Sequence, residues 1–85
     1  MQTKININII NKKTKENNFL SKFLDGLIPL NEGNYVSTGI YLATVRSVNF
    51  EIEKCILNIN LKDEIEENDK ILSRIEMLKG RFGWE

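Results

Sequence analysis

The sequence predicts a small α+β domain in which a three- to four-stranded, mostly antiparallel sheet is covered on one face by two helices. Three features predict it. Apolar and polar residues alternate near the start, apolar residues recur at helical spacing in two later segments, and no glycine or proline interrupts the chain from Ile40 to Leu61. The predicted order is β-α-β-β-α, a truncated ferredoxin-like arrangement. We assign residues 1–85 to one domain.

The first predicted element is a strand over residues 3–10. Ile5, Ile7 and Ile9 fall on one face of an extended chain, and the intervening Lys4 and the asparagines fall on the other. This period of two predicts one buried face and one solvent-exposed face.

The second predicted element is a helix over residues 18–28. At about 100° per residue, one apolar stripe contains Phe19, Leu20, Phe23, Leu24 and Leu27. Asn17 or Asn18 is expected to cap its first turn. Pro29 is expected to end it, because proline lacks the amide hydrogen that a helix interior needs.

Residues 35–62 are predicted to be rich in β-strand, with a short strand near Tyr35–Thr38. Val48, Phe50 and Ile52 alternate on one face, whereas Cys55, Leu57, Ile59 and Leu61 alternate with the opposite parity. A change of parity requires a turn or a bulge. The pattern leaves two positions open for it, near Glu53–Lys54 or between Ser47 and Asn49. Cys55 is expected to be a buried small apolar residue.

The last predicted element is a helix that begins at Asn68 and is capped by it. The residues that share one sector of the helical wheel are Ile71, Leu72, Ile75, Leu78 and Phe82. Gly80 is expected to terminate the helix.

Composition excludes several classes of function. The chain has twelve basic and twelve acidic residues and no histidine, which argues against a strongly electrostatic nucleic-acid binder and rules out histidine-dependent triads. With one cysteine and no histidine, a structural zinc site is not expected. No glycine-rich phosphate loop is present. The acidic run over residues 63–69 is interpreted as a helix N-terminus. We therefore expect no catalytic site, metal or cofactor, and not an enzyme.

The chain begins with alternating isoleucine and asparagine after Lys4, and no apolar run approaches the length of a membrane span. Its single cysteine excludes an internal disulfide. We expect a cytoplasmic protein with no membrane partner.

The leading hypothesis is a non-enzymatic module that binds another protein of unknown identity. The candidate surface lies on the last helix and the tail, and its residues are Lys70, Arg74, Met77, Arg81 and Trp84. Trp84 is expected either at the edge of the core or facing a partner. Ile, Asn and Lys, which have AT-rich codons, make up 32 of the 85 residues. That bias suggests a phage or mobile-element accessory protein that inhibits or regulates a host protein by surface occlusion.

Two alternatives stay open. One is a module that binds single-stranded nucleic acid by charge and stacking, with the candidate residues Lys12, Lys13, Lys15, Tyr35 and Tyr41. The other is a homo-oligomeric subunit, such as a homodimer, that pairs through an exposed sheet edge.

Overall fold

The structure, a computed structural model, describes residues 1–85 and consists mostly of β-strands. Five strands form one mixed, curled sheet in the order β2-β1-β5-β4-β3, and one helix follows them. Neighbouring strands are antiparallel except β1 and β5, which are parallel. The elements are β1 (Gln2–Asn11), β2 (Asn17–Asp25), β3 (Tyr35–Ser37), β4 (Leu42–Glu51), β5 (Ile56–Ile65) and α1 (Asn68–Phe82). The prediction of a ferredoxin-like α+β domain with two helices is therefore wrong.

The first strand is confirmed, together with its two faces. Ile5, Ile7 and Ile9 of β1 are buried against the helix side of the sheet. The central position of β1, between β2 and β5, explains why these side chains are so completely enclosed. They form the centre of an apolar core to which every strand except β3 contributes a fully buried residue.

The segment predicted as the first helix is instead strand β2. It pairs with β1 as a hairpin, with Leu20 opposite Ile7 and Phe19 opposite Asn8. Leu20 is buried, whereas Phe19 lies on the opposite face of the sheet and is 70% exposed. Residues four apart lie on the same side of both a helix and a strand. The spacing of Phe19, Leu20, Phe23 and Leu24 therefore did not distinguish the two, and backbone pairing with β1 gives the strand.

A loop from Gly26 to Asn34 connects β2 to the far edge of the sheet by crossing the helix side. Thr3 holds its start, because the Thr3 hydroxyl donates to the Gly26 carbonyl at 2.7 Å and accepts the Ile28 amide at 3.2 Å. Ile28 and Leu30 pack against the core. This loop covers part of the face that the absent first helix was predicted to cover.

Strands β4 and β5 form a hairpin whose turn lies at the first of the two positions left open by the sequence, whereas Ser47–Asn49 is regular strand. A turn occupies Ile52–Cys55, where Cys55 has a φ of 54°. A bulge separates Val45 from Ser47 in the pairing with β5. The bulge places Val45 and Val48 on the same face. Cys55 is exposed at the turn, so the prediction that it is buried is wrong.

The helix begins at Asn68, as predicted, but Glu67 is its N-cap and makes no side-chain cap bond. It continues through Gly80 and ends at Gly83, whose φ of 72° lets the Trp84 amide donate to the Leu78 carbonyl at 3.1 Å. Lys22 donates to the Phe82 carbonyl at 2.5 Å and so places a cation at the helix C-terminus. No helix has the combined length and apolar character needed to span a membrane.

Candidate binding surfaces

The residues predicted for a partner-binding helix face do not form one free surface. Lys70 is exposed beside Glu67, and Arg81 is exposed near the helix end. Met77 is half-buried. Arg74 turns toward the sheet, where it binds the Asp63 carboxylate at 2.5 Å. The helix face is therefore divided between two exposed cations and groups that hold the helix to the sheet.

Trp84 is part of the core and not of a binding surface. It is 5% exposed, and its indole nitrogen donates to the Thr38 carbonyl at 3.3 Å. The next residue, Glu85, exchanges two backbone hydrogen bonds with Ser21 on the outer edge of β2, at 2.8 and 2.9 Å. Trp84 thus closes the core between that edge and the loop after β3, so of the two positions predicted for it the edge of the core is confirmed and its place on the partner-binding surface is wrong.

The residues predicted for nucleic-acid binding also separate. Lys12, Lys13 and Lys15 lie in the exposed turn between β1 and β2, and Tyr35 is exposed at the opposite edge of the sheet. Tyr41 lies on the helix side, where the Arg74 guanidinium stacks 4.2 Å from the centre of its ring. Tyr41 therefore cannot act together with the other four residues on one surface.

The environment of Tyr41 raises the pKa of its phenol above the ordinary range. Burial is the main cause, and the negative charge of Asp63 adds to it, while Arg74 acts in the opposite direction. The hydroxyl is buried and makes no hydrogen bond. Asp63, Arg74 and Tyr41 therefore form a structural cluster that fixes α1 on β5 and the loop before β4.

The face of the sheet away from the helix, which we call the open face, carries a grid of amides. Asn6 of β1 donates to Asn60 of β5 at 3.1 Å, and Asn60 donates to Ser47 and Asn49 of β4 at 3.0 and 3.1 Å. Asn58 donates to Glu51 at 2.8 Å. These bonds cross three strands and hold the amide side chains in fixed positions, with Asn58 buried and Asn6 and Asn60 partly exposed.

Aromatic rings border this grid on the β2 side. Phe23 lies beside Lys4, whose ammonium group is 5.6 Å from the ring centre, and Phe19 lies beside Asn8. A groove of about 320 Å³ runs between this border and the amides. Its lining includes Lys4, Asn6, Asn8, Phe19, Ser21 and Asn60. This site was not predicted from the sequence, because the apolar spacing placed both phenylalanines on the core face of a helix.

One corner of the open face is basic. Lys12, Arg46 and Lys62 line a cleft there together with Glu64. Lys62 binds Glu64 at 2.6 Å, and this hydrogen bond and charge lower the pKa of the Glu64 carboxyl, with smaller contributions from Lys12 and a neighbouring lysine. Arg46 and Lys12 are in no salt bridge, so two cations remain uncompensated at this corner.

A second exposed surface is the free edge of β4. Strand β3 pairs only with residues 42–44, and the loop before it adds two bonds to Val45. From Arg46 to Glu51 no backbone bond reaches β4 from its outer side. Val48 and Phe50 point to the helix side along this edge, Ile52 follows them in the turn, and Phe50 and Ile52 are 42% and 80% exposed. We call these residues, 46–52, the β4 edge.

The acidic run and the cysteine do not converge on a site. The start of the run belongs to β5, where Asp63 points to the helix side and Glu64 to the open face. No group of three or more cysteine or acidic side chains is arranged to hold a metal ion. Comparison with protein-family models, with curated proteins and with solved structures gave no match.

Proposed function

We propose that this chain is a protein-binding module and that the protein it binds at the β4 edge is a second copy of itself. The observation that supports this proposal is the unpaired edge over residues 46–52, with its exposed apolar side chains. Natural proteins protect long apolar sheet edges by shortening, charging or covering them. Here the β2 edge is bonded by Glu85 and β3 is three residues long, whereas the second half of β4 has a bulge and charged residues only at its ends, at Arg46 and Glu51, and leaves Val48 and Phe50 between them exposed.

The reason for this exposure is geometric. Helix α1 has 15 residues and spans about 22 Å, whereas the ten residues of β4 span about 33 Å. The helix packs mainly on β1 and β5, and Phe50 and Ile52 at the end of the β4–β5 hairpin remain exposed. Apolar side chains that the chain itself cannot bury mark an interaction surface.

The β4 edge is also self-complementary. If two copies pair antiparallel about a two-fold axis at Asn49, Val48 lies opposite Phe50 of the second copy, and Ser47 lies opposite Glu51. Apolar residues then meet on the helix side, and no like charges face each other. The two five-stranded sheets would join into one continuous sheet.

The test is the mass of the protein in solution, measured by sedimentation equilibrium from about 1 µM to about 1 mM. We expect the mass to rise from 9.9 kDa toward twice that value. Phe50→Asp should hold the protein at the monomer mass. Phe23→Asp is the matched control, because Phe23 is similarly exposed, at 49%, but lies on the open face.

Two results would contradict this function. One is a monomer at every concentration in the unaltered protein. The other is a Phe50→Asp variant that keeps its native circular dichroism spectrum and associates as strongly as the Phe23→Asp control.

A further inference from the structure

We propose that the open face binds single-stranded nucleic acid, with bases stacked on Phe19 and Phe23. This site lies on the opposite side of the sheet from the apolar side chains of the β4 edge, and it does not depend on self-association. Its residues also differ from those that the sequence suggested for nucleic-acid binding, with Lys12 alone in common.

The first observation is the exposure of two aromatic rings where strand alternation favours polar residues. Phe19 and Phe23 are 70% and 49% exposed on a face that is otherwise occupied mainly by asparagine, serine and lysine. Four residues of a strand separate them by about 13 Å. Every base offers a π-face to an exposed ring, and proteins that bind single strands without sequence preference use such platforms.

The second observation is the groove beside these rings. Phe19 forms one wall, and the amides of Asn6, Asn8 and Asn60 lie across it. The bonds among the amides fix their positions, but Asn6 Oδ1 accepts no hydrogen bond. A base stacked on Phe19 would therefore meet preorganised amide groups at its polar edge, and amide side chains pair well with base edges.

The third observation is charge. Lys4 lies at the Phe23 end of the groove, and Lys12, Arg46 and Lys62 lie at the other end of the open face. Glu64 binds Lys62, and Glu51 binds Lys54 at 3.7 Å, which leaves the three cations Lys4, Lys12 and Arg46 without a salt bridge, against one unpaired acid on this face, Asp25 of β2. The face is thus locally cationic although the chain carries no net charge.

The two aromatic rings, the groove and the basic corner form one continuous track across the open face. Asn8 at the end of the groove pairs in register with Lys62 at the basic corner. From Lys4 to Lys12 the track is about 26 Å long, which suits a short site of about four nucleotides. Stacking requires bases with free faces, so the site favours single strands over duplexes.

The experiment is fluorescence anisotropy with labelled oligo(dT) and oligo(U) of about twelve nucleotides, and with a duplex of the same length. Low protein concentrations keep the β4 edge unpaired. We expect both single strands to bind and the duplex to bind more weakly. The ratio of the affinities for oligo(dT) and oligo(U) shows whether DNA or RNA is preferred. With three phosphate contacts, a fourfold rise in salt should weaken binding about 20-fold.

Variants separate this site from other surfaces. Phe19→Ala with Phe23→Ala should weaken binding at least about tenfold, whereas Leu72→Ala, which changes an exposed apolar residue of α1 outside both surfaces, should leave it unchanged. Lys4→Gln leaves the core residues unchanged. It should reduce the slope of the logarithm of the binding constant against the logarithm of the salt concentration by the amount expected for about one phosphate contact.

The proposal is overturned if neither single strand binds at about 100 µM protein in low salt. It is also overturned if the double variant and Lys4→Gln both bind like the unaltered protein, or if Leu72→Ala weakens binding as much as the double variant. At about 100 µM the Phe50→Asp variant is titrated in parallel, so that binding is also measured with the β4 edge unpaired.

Discussion

Replacing Trp84 with alanine tests whether this residue belongs to the core. The tryptophan is 5% exposed and lies in the same apolar cluster as Leu20 and Leu78. Its indole nitrogen also satisfies the Thr38 carbonyl. Alanine would remove both the packing and the hydrogen bond, and it would loosen the closure between the β2 edge and the loop after β3.

The expected loss of stability follows from the buried area. A buried aromatic side chain covers about 150–250 Å², worth about 4–6 kcal/mol at about 25 cal/mol per Å². Alanine retains part of this area and the indole bond adds about 1 kcal/mol, so we expect a loss of about 4 kcal/mol. A chain of 85 residues has a total stability of about 4–13 kcal/mol. The melting temperature should therefore fall by about 16–32 °C.

Urea denaturation followed by circular dichroism measures this loss, because the variant has no tryptophan fluorescence. Phe19→Ala is the control, since its ring is exposed and the change should cost less than about 1 kcal/mol. If Trp84→Ala loses no more stability than Phe19→Ala, the tryptophan is not a core residue and the reasoning is refuted.

Three further predictions concern the contacts around α1. Tyr41→Phe should change stability at neutral pH by no more than about 1 kcal/mol, because the hydroxyl has no partner. Because burial raises the pKa of Tyr41, the contribution of its neutral phenol to the free energy of unfolding is complete below about pH 10 and is lost as the pH rises. Alkaline urea titrations should therefore show that stability falls more steeply with pH in the unaltered protein than in Tyr41→Phe, and equal slopes would contradict this. Arg74→Ala leaves the Asp63 carboxylate unpaired and should cost about 2 kcal/mol by urea denaturation; a neutral effect would show that the pair does not hold the helix. Gly39→Ala should lower the melting temperature, because the residue has a φ of 111° and a Cβ there would overlap the Phe82 ring; an unchanged melting temperature would contradict that packing.

The strand β1 and helix α1 were predictable because each has one unambiguous period. Alternating isoleucine in β1 matches only a strand, and the spacing of Ile71, Ile75 and Leu78 matches only a helix. Both elements therefore carry their own local signal. The hairpin turn at Ile52–Cys55 was also one of the two positions that the parity change allowed.

Strand β2 was not predictable from its own residues. Its apolar residues recur four apart, a spacing that fits both periods, and the helical interpretation buries Phe19 and Phe23 whereas the strand exposes them. Burial of the two phenylalanines favours a helix, whereas backbone hydrogen bonding to β1 produces the strand. Such a local violation of patterning is expected where a surface has a function. The phenylalanines at the centre of the open-face proposal are therefore the same residues that made the fold prediction fail.

The pairing of β1 with β5 was likewise hidden, because it joins residues more than fifty positions apart in parallel. This pairing brings Asn6 beside Asn60 and so creates the amide grid. No local pattern in either segment signals the other. The open face thus arises from tertiary structure, whereas the β4 edge could have been suspected from the apolar alternation of Val48, Phe50 and Ile52.

The most direct test of the proposed function is amide hydrogen exchange at Arg46–Glu51, measured residue by residue by NMR at low and high protein concentration. If two β4 edges pair, the outward-facing amides of this segment should become protected as concentration rises, while those of β2 keep their rates. Exchange at Arg46–Glu51 that stays fast and independent of concentration would show that the β4 edge remains unpaired and would contradict the proposed function.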